Sequence, residues 1–320
     1  MKDQAIAVKG LVREETRLFH LTKAFRDFFS YAPFLGPFLC LVVLFFFIPV
    51  ILTTGLAFTG MDSKLEWDFV GLQNFRKLLI DPLVPKIAKN TIIYVFFTCL
   101  FFNVGLGFIL ALLTTYYVKR ENVGLLFRSI WLLPRMTPSV VYGLLWLWFL
   151  DPSEGGMVNQ VLQVFNQPTQ SWLARSPMAV IILVNGFVGA SFGMVIFSAA
   201  IKAIPTDYIW AARVDGASDF DIVRRIIVPL LKWPIMFTTI WQTLSLLSSY
   251  EYILILTDGG PFYKSEVWAL HAYHRAFKVL SFGEGASVAF VLVVVGVGVC
   301  LIMWKLFGFE RLMQPSKIEV

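Results

Sequence analysis

KAIPTDYIWAARVDGASDFDIVRRIIVPLLKW, residues 202–233, lies between two apolar runs at about 177–201 and 234–256. Each run has the roughly 20 apolar residues that a bilayer crossing requires, so the polar stretch between them is a loop at one membrane face. Pro205 suits a first helical turn, where its missing N–H costs nothing, and the spacing predicts a short helix from there to about Val214. Asp215-Gly216 is a turn signal, and Ser218 followed three residues later by Asp221 is a capping-box pattern. A second helix is therefore expected from about Asp219 to near Pro229. In it Phe220, Val223 and Ile227 share a face, with Asp219, Arg224 and Arg225 off that face. Such an apolar stripe serves equally to dock a partner or to pack on the chain's own helices, and the spacing alone leaves both open.

Four further apolar windows, at about 33–58, 91–117, 127–149 and 284–308, bring the expected spans to six. With 58% hydrophobic and 15% charged residues and a mean hydropathy of +0.72, the 320-residue chain has too few charges to coat a soluble globule. The expectation is an all-α integral membrane protein: an N-terminal arm (1–32), one six-helix domain (33–308) and a tail (309–320). The third span holds Arg135 between Pro134 and Pro138, an interruption that survives only where other helices, water or a cavity satisfy the freed backbone, and a kink is expected near its start. Cys40, Cys99 and Cys300 each fall in an apolar run, so no disulfide framework is implied.

Orientation follows from the tendency of Lys/Arg-rich loops to remain in the cytoplasm. With the N-terminus inside, the interior segments 1–32, 118–128, 202–233 and 305–320 carry about twice as many Lys and Arg as the opposite side, so both termini are expected in the cytoplasm. That bias also accounts for the net charge of +6 without nucleic acid. Leu18, Leu21, Phe25 and Phe28 recur at helical spacing among Arg13, Arg17 and Arg26, a pattern suited to a helix lying in the interface over about 11–29. The first thirty residues, with their mixed charges, do not read as a signal peptide. Outside, 150–176 reads as a loop around one short helix from about Met157 to Phe165.

The run Ala211, Ala212, Asp215, Gly216 and Ala217, with Pro229 ahead of the next span, resembles the cytoplasmic motif of the membrane-spanning subunits of binding-protein-dependent ABC importers. In order along the chain, FVGLQNF (69–75), NTIIY (90–94), GLGFILALL (105–113), FRSIWLLPRMTPSVVYGLLWLWFLDPSEGGMVN (127–159), LTDGGPF (256–262) and HAYHRAF (271–277) also resemble segments of that family. Within it they are similar to carbohydrate permeases of the maltose and glycerol-phosphate type, and subunits of alginate importers look alike. The resemblance implies the six-span type I permease fold, whose cytoplasmic loop forms coupling helices inserted in a cleft on the ATPase, with the glycine at their bend. It also implies a second similar permease, two ATPase subunits, an external solute-binding protein and a carbohydrate substrate, an acidic polysaccharide such as alginate among the candidates. The family usually has Glu before the two alanines. Here Trp210 stands there and offers only apolar area and one N–H donor.

Polar residues inside a span meet partners or line a cavity. Gln242, Ser245 and Ser249 recur at i, i+3 and i+7 on the fifth span, with Tyr250 beside them, and Asn185, Gly189 and Phe192 have similar spacing on the fourth. Amides, hydroxyls and aromatic faces suit a sugar, and related permeases are similar in using the spans that flank the loop. Interhelical hydrogen bonding and small-residue packing explain the same residues equally well. No cofactor is implied. His271 and His274 lack an evident third metal ligand, and GPFYKS (260–265) has Tyr263 where a phosphate loop needs glycine. ATP hydrolysis is thus expected in a partner. The alternative, an autonomous secondary transporter or channel, is weakened by the lack of an internal repeat and by an interior with only Arg135 and Glu251 charged.

Overall fold

Among the described residues, 33–307 of a computed structural model, regular structure is helical apart from one bridged pair, Thr59 and Phe69. The interfacial helix expected at about 11–29 and the 309–320 tail lie outside them. The described residues divide into two compact units, with the boundary between Gly55 and Leu56. To the first belongs α1 (Pro33–Leu56) but for its last residue, a predominantly apolar helix of 24 residues, long enough to cross a bilayer.

The second unit begins with α2 (Gln73–Ile80), α3 (Val84–Tyr117), α4 (Glu121–Met136), α5 (Ser139–Phe149), α6 (Met157–Val164) and α7 (Pro177–Lys202). Loop helices α8 (Thr206–Val214) and α9 follow, the latter formed by Asp219–Ile222, a π-turn at Val223–Ile227 and Val228–Leu230. Then come α10 (Lys232–Ser248), α11 (Glu251–Leu256), α12 (Trp268–Tyr273) and α13 (Phe282–Phe307). Helices α1, α3, α7 and α13 are long and apolar enough to span a membrane. The third and fifth spans arrive in two pieces each, α4 with α5 and α10 with α11.

The break in the third span lies midway, not near its start, and Pro138 makes it rather than Pro134. Pro134 is accommodated inside α4, whereas the residue before Pro138 is forced off helical geometry: Thr137 has φ −78° and ψ 134°. In the fifth span Ser249 is extended, at φ −78° and ψ 124°, and α11 starts two residues later. The two outer pieces pack together at Gly143, where a Cβ would stand 2.6 Å from Ile255 Cγ2.

Helix α7 is the centre of the unit, with 67% of its apolar window buried. It meets α3 at backbone contact through small residues, the packing that brings helices closest in a membrane. A Cβ on Gly193 would lie 2.0 Å from the Asn103 carbonyl oxygen. One apolar core joins Tyr94, Ile181, Val184, Leu246, Ile253 and Leu270. A second, nearer the loop, joins Leu112, Phe197, Ile201, Ile222, Ile227 and Leu231. At that end buried Arg128 clamps three helices: Nη1 donates to the Thr114 carbonyl (3.0 Å) and Thr115 Oγ1 (2.8 Å), and Nη2 to Glu121 Oε1 (2.7 Å), which also accepts from Lys202 Nζ (2.5 Å).

Because the Asn103 backbone cannot yield to a branched side chain, Gly193→Val is expected to destabilise the bundle by about 2–4 kcal/mol. Thermal unfolding of the detergent-purified protein checks this, and an unchanged midpoint would show that α7 and α3 can separate freely.

Candidate coupling loop and pathway residues

Helix α8 ends in a motif that explains the spacing of its residues. The Ala217 N–H donates to the Ala212 carbonyl (2.9 Å) and the Gly216 N–H to the Arg213 carbonyl (3.0 Å), the paired bonds of a Schellman cap. The cap needs a left-handed residue, and Gly216 has φ +81°; a Cβ there would meet nothing within 4 Å, so the demand is one of backbone conformation alone. Ala212 and Ala217, brought together by the cap, pack on the core beneath, while Ala211 and Asp215 face outward. Helix α9 then starts as its capping box predicts. Ser218 Oγ accepts the Asp221 N–H (3.2 Å) and donates to Asp221 Oδ2 (2.6 Å), which holds that carboxyl below the usual carboxylate range.

The expected stripe of Phe220, Val223 and Ile227 does not form. Ile227 is fully buried, Val223 half-buried and Phe220 69% exposed. The π-turn takes more residues per revolution and rotates the register, so Ile222 and Ile227, five apart, line the buried face with Leu231. It also lets α9 run past exposed Pro229, which sits in the first turn of the segment after it, to end at Leu231. The loop thus uses one apolar face for its own core and leaves Tyr208, Trp210, Val214 and Phe220 exposed around it. Trp210 lies against Arg213, whose guanidinium is 5.6 Å from the ring centroid and 3.3 Å from Asp219 Oδ1. Tyr116 at the end of α3 donates to that same oxygen (2.7 Å), and this bond chiefly holds the Asp219 carboxyl below its ordinary range.

The span residues fall into separate groups. Asn185 Nδ2 donates to Tyr94 Oη and to Ser249 Oγ (3.3 Å), and Tyr94 Oη donates to Ser249 Oγ (3.2 Å), tying α3, α7 and α10 together just where the fifth span breaks. Gln242 Nε2 donates to the Gly189 carbonyl (3.2 Å). Asn185, Gly189 and Gln242 are buried, and Ser245 is exposed. Phe192 lies under the Arg135 guanidinium, 5.4 Å from ring centroid to Cζ, and Tyr250 stacks on Tyr273 at 5.1 Å. Tyr94 and Arg128 went unrecognised in the sequence because helical spacing within one span cannot identify a partner on another.

At the opposite end, a cavity of about 610 Å³ borders Asp258, Glu266, His271, His274 and Lys278. His274 sits between two carboxylates, with Nδ1 2.9 Å from Glu266 Oε1 and Nε2 2.9 Å from Asp258 Oδ1. Lys278 also bonds Asp258. These are hydrogen-bond distances, and among the described residues no cluster of three potential metal ligands is formed. Burial pushes the Asp258 carboxyl up, but the Lys278 and His274 bonds outweigh it and hold it below the usual range. The loop between α11 and α12 is fastened by Asn90 Nδ2, which donates to the Tyr263 and Glu266 carbonyls (3.0 Å each), so the NTIIY and LTDGGPF segments are joined at this end.

Residues 103–307, well over half of the chain, match the family described as the binding-protein-dependent transport system inner membrane component. This chain belongs to that family. The permease is 28% identical to a probable ABC transporter permease of Pyrococcus horikoshii over 87% of this chain and 96% of that one. It is 29% identical to the diacetylchitobiose uptake system permease of Streptomyces coelicolor over 82% and 77% of the two chains. In fold it is similar to a chain of a bacterial ABC transporter involved in import of the acidic polysaccharide alginate, with TM-score 0.79, 22% identity, and 92% of this chain and 100% of that one covered. The permease is thus a membrane subunit of an importer whose ATP hydrolysis belongs to a separate subunit.

Since the Asp258 carboxyl is depressed in the folded permease, its contribution to stability is present above its unfolded value of about 4 and lost as pH falls through the folded value. Protection against hydrogen exchange across 257–278, taken relative to the intrinsic rate at each pH, is expected to fall on acidification below about pH 4, and Asp258→Asn to show the lowered protection already at pH 7. Equal protection in both proteins at pH 7 would remove Asp258 as the fastening group.

Proposed function

We propose that this permease forms half of the translocation pathway of an ATP-driven carbohydrate importer. A second, similar permease supplies the other half, one of two ATP-binding cassette subunits docks on the 202–233 loop, and an external solute-binding protein delivers the sugar. The observation that carries this reading is the two-sided loop: Ile222, Ile227 and Leu231 are fixed in the span core while Tyr208, Trp210, Val214 and Phe220 stand exposed. A partner pressing on the outer face moves the spans through the inner one. The chemistry of the solute is supported by a relative that is a diacetylchitobiose permease and by the likeness in fold to a chain of a bacterial alginate ABC transporter, solved in complex with an alginate pentasaccharide-bound periplasmic protein. The Lys/Arg bias supports a multi-pass arrangement in a bacterial cytoplasmic membrane with the loop and both termini inside.

In this reading the loaded binding protein docks outside, ATP closes the ATPase pair, and the coupling loop transmits that closure as alternating access. Ala211, Ala212, Asp215, Gly216 and Ala217 set the bend, Pro229 lies near its far end, and Trp210 takes an apolar role where a carboxylate is usual. Trp210 with its neighbour Arg213 presents a flat, cationic face to the ATPase. For the pathway, Phe192, Ser245, Ser249 and Tyr250 offer surface to the sugar, and Asn185, Gly189 and Gln242 hold the spans that carry them.

Gly216→Val forces a β-branched residue into a left-handed conformation, at a cost of about 1–2 kcal/mol or more, and is expected to reduce ATP-driven uptake at least tenfold. Affinity purification of the variant should still recover the second permease but less of the ATP-binding subunit than wild type does. Undiminished uptake at normal expression would overturn the coupling role. In a background that transports without its binding protein, Ser245→Ala with Ser249→Ala should raise the half-saturating substrate concentration about tenfold, the loss of one or two net hydrogen bonds. An unchanged value would remove both residues from the pathway.

A further inference from the structure

Arg135 occupies the last turn of α4, about 10 Å of helix beyond Arg128, where the expected cytoplasmic segment ends, and two residues before the break at Thr137-Pro138. A guanidinium at such depth is costly in a membrane and ordinarily either pairs with an acid or stretches along its helix to the interface. Among the described residues Arg135 is in no ion pair, and neither is Glu251, although both stand near enough to Tyr252 to act on its hydroxyl; the Arg135 guanidinium lies over the Phe192 ring on the central helix α7. An aromatic face neutralises no charge; it fixes where the cation points. One turn earlier on the same face of α4, the Trp131 indole N–H is buried with no acceptor. The Trp131 ring packs on Phe187 (5.8 Å), which in turn stacks with Trp146 of α5 (6.4 Å, 25°). The side of the broken span that faces α7 therefore carries two donors wanting an acceptor among aromatic surfaces.

We infer that Arg135 is the anion-recognising residue of the pathway, and that the solute is a carbohydrate bearing a carboxylate or phosphate group, which the guanidinium binds while neighbouring aromatic faces take the sugar rings. The inference rests on the carbohydrate reading above and adds the sign of the substrate's charge and the residue that selects it. The fork of N–H groups suits a planar carboxylate or a phosphate, whereas a neutral glycan would leave the cation uncompensated at depth.

The test uses the complete importer with its binding protein, in proteoliposomes of zwitterionic lipid so that no anionic headgroup competes for Arg135. ATP-driven uptake of maltotriose, diacetylchitobiose, trigalacturonate, trimannuronate and glucose 1-phosphate is compared between wild type, Arg135→Gln and Arg135→Lys. Wild type is expected to carry an anionic probe, the uronates and the phosphate distinguishing which acid it reads. Arg135→Gln should raise KM for that probe roughly tenfold to a hundredfold, the loss of a charge-assisted bond, with the maximal ATPase rate retained. Arg135→Lys keeps the charge without the fork and should fall between, which guards against a variant that merely fails to assemble. Uptake of neutral probes only, or anionic uptake with unchanged KM in Arg135→Gln, overturns the inference and leaves the carbohydrate reading standing. Uptake of none of the five overturns that reading and the inference with it.

Discussion

The approach of α7 to α3 governs the rest of the structure. At Gly189 and Gly193 the α7 backbone comes against Asn103 so closely that any Cβ would overlap it. In a lipid environment, where apolar burial does little to draw helices together, such contact is a main source of association. It brings Asn185 within reach of Tyr94 and Ser249, and it lays Phe197 on α3 above the loop. The Asn185 amide and the Tyr94 and Ser249 hydroxyls are paired with one another because this distance is short. The same closeness makes α7 a rigid element around which the interrupted spans are arranged.

The two interruptions are linked to that rigidity. Helix α5 and helix α11, the outer pieces of the third and fifth spans, pack together at Gly143 and Ile255, while their inner pieces, α4 and α10, each lie against α7. A span in two pieces can change its angle at the break without breaking hydrogen bonds inside either piece, so movement entering from the loop has two hinges available beside an unbending centre. Ser249 contributes to one hinge while bonded to Asn185, and Arg135 ends the segment before the other.

Much of this arrangement was legible in the sequence. The loop helices, the Asp215-Gly216 bend and the capping box at Ser218 were readable because each depends on residues a few positions apart. The π-turn in α9 was not, since nothing in VRRII departs from ordinary helical composition, and the buried face was accordingly assigned to Phe220, Val223 and Ile227 instead of Ile222, Ile227 and Leu231. Pro134 and Pro138 were both visible as breakers, but which of them ends α4 depends on whether Thr137 can leave the helix without loss. On the spans, periodicity picked out polar residues and could not distinguish a bond to another helix from a surface for a ligand: Gln242 and Ser245 read alike, yet one is buried on Gly189 and the other exposed.

Several of the sequence segments that carry the family likeness hold loops in place through one asparagine each. Asn74 of FVGLQNF donates to the Ala57 and Thr59 carbonyls (3.0 and 2.8 Å), Asn90 of NTIIY to those of Tyr263 and Glu266, and Asn159, the last residue of the third-span segment, to those of Asp151 and Gln170 (3.0 and 3.2 Å). A primary amide supplies two donors from one short side chain, which suits a loop whose carbonyls would otherwise be left unpaired near the membrane. Asp lacks the donors and Gln adds a rotatable bond, so neither reproduces the fastening. Residues of this kind mark the fold without belonging to the solute's path. What distinguishes one importer from another is then to be sought among side chains with unfilled hydrogen-bonding or charge demands, Arg135 and Trp131 of the third span among them.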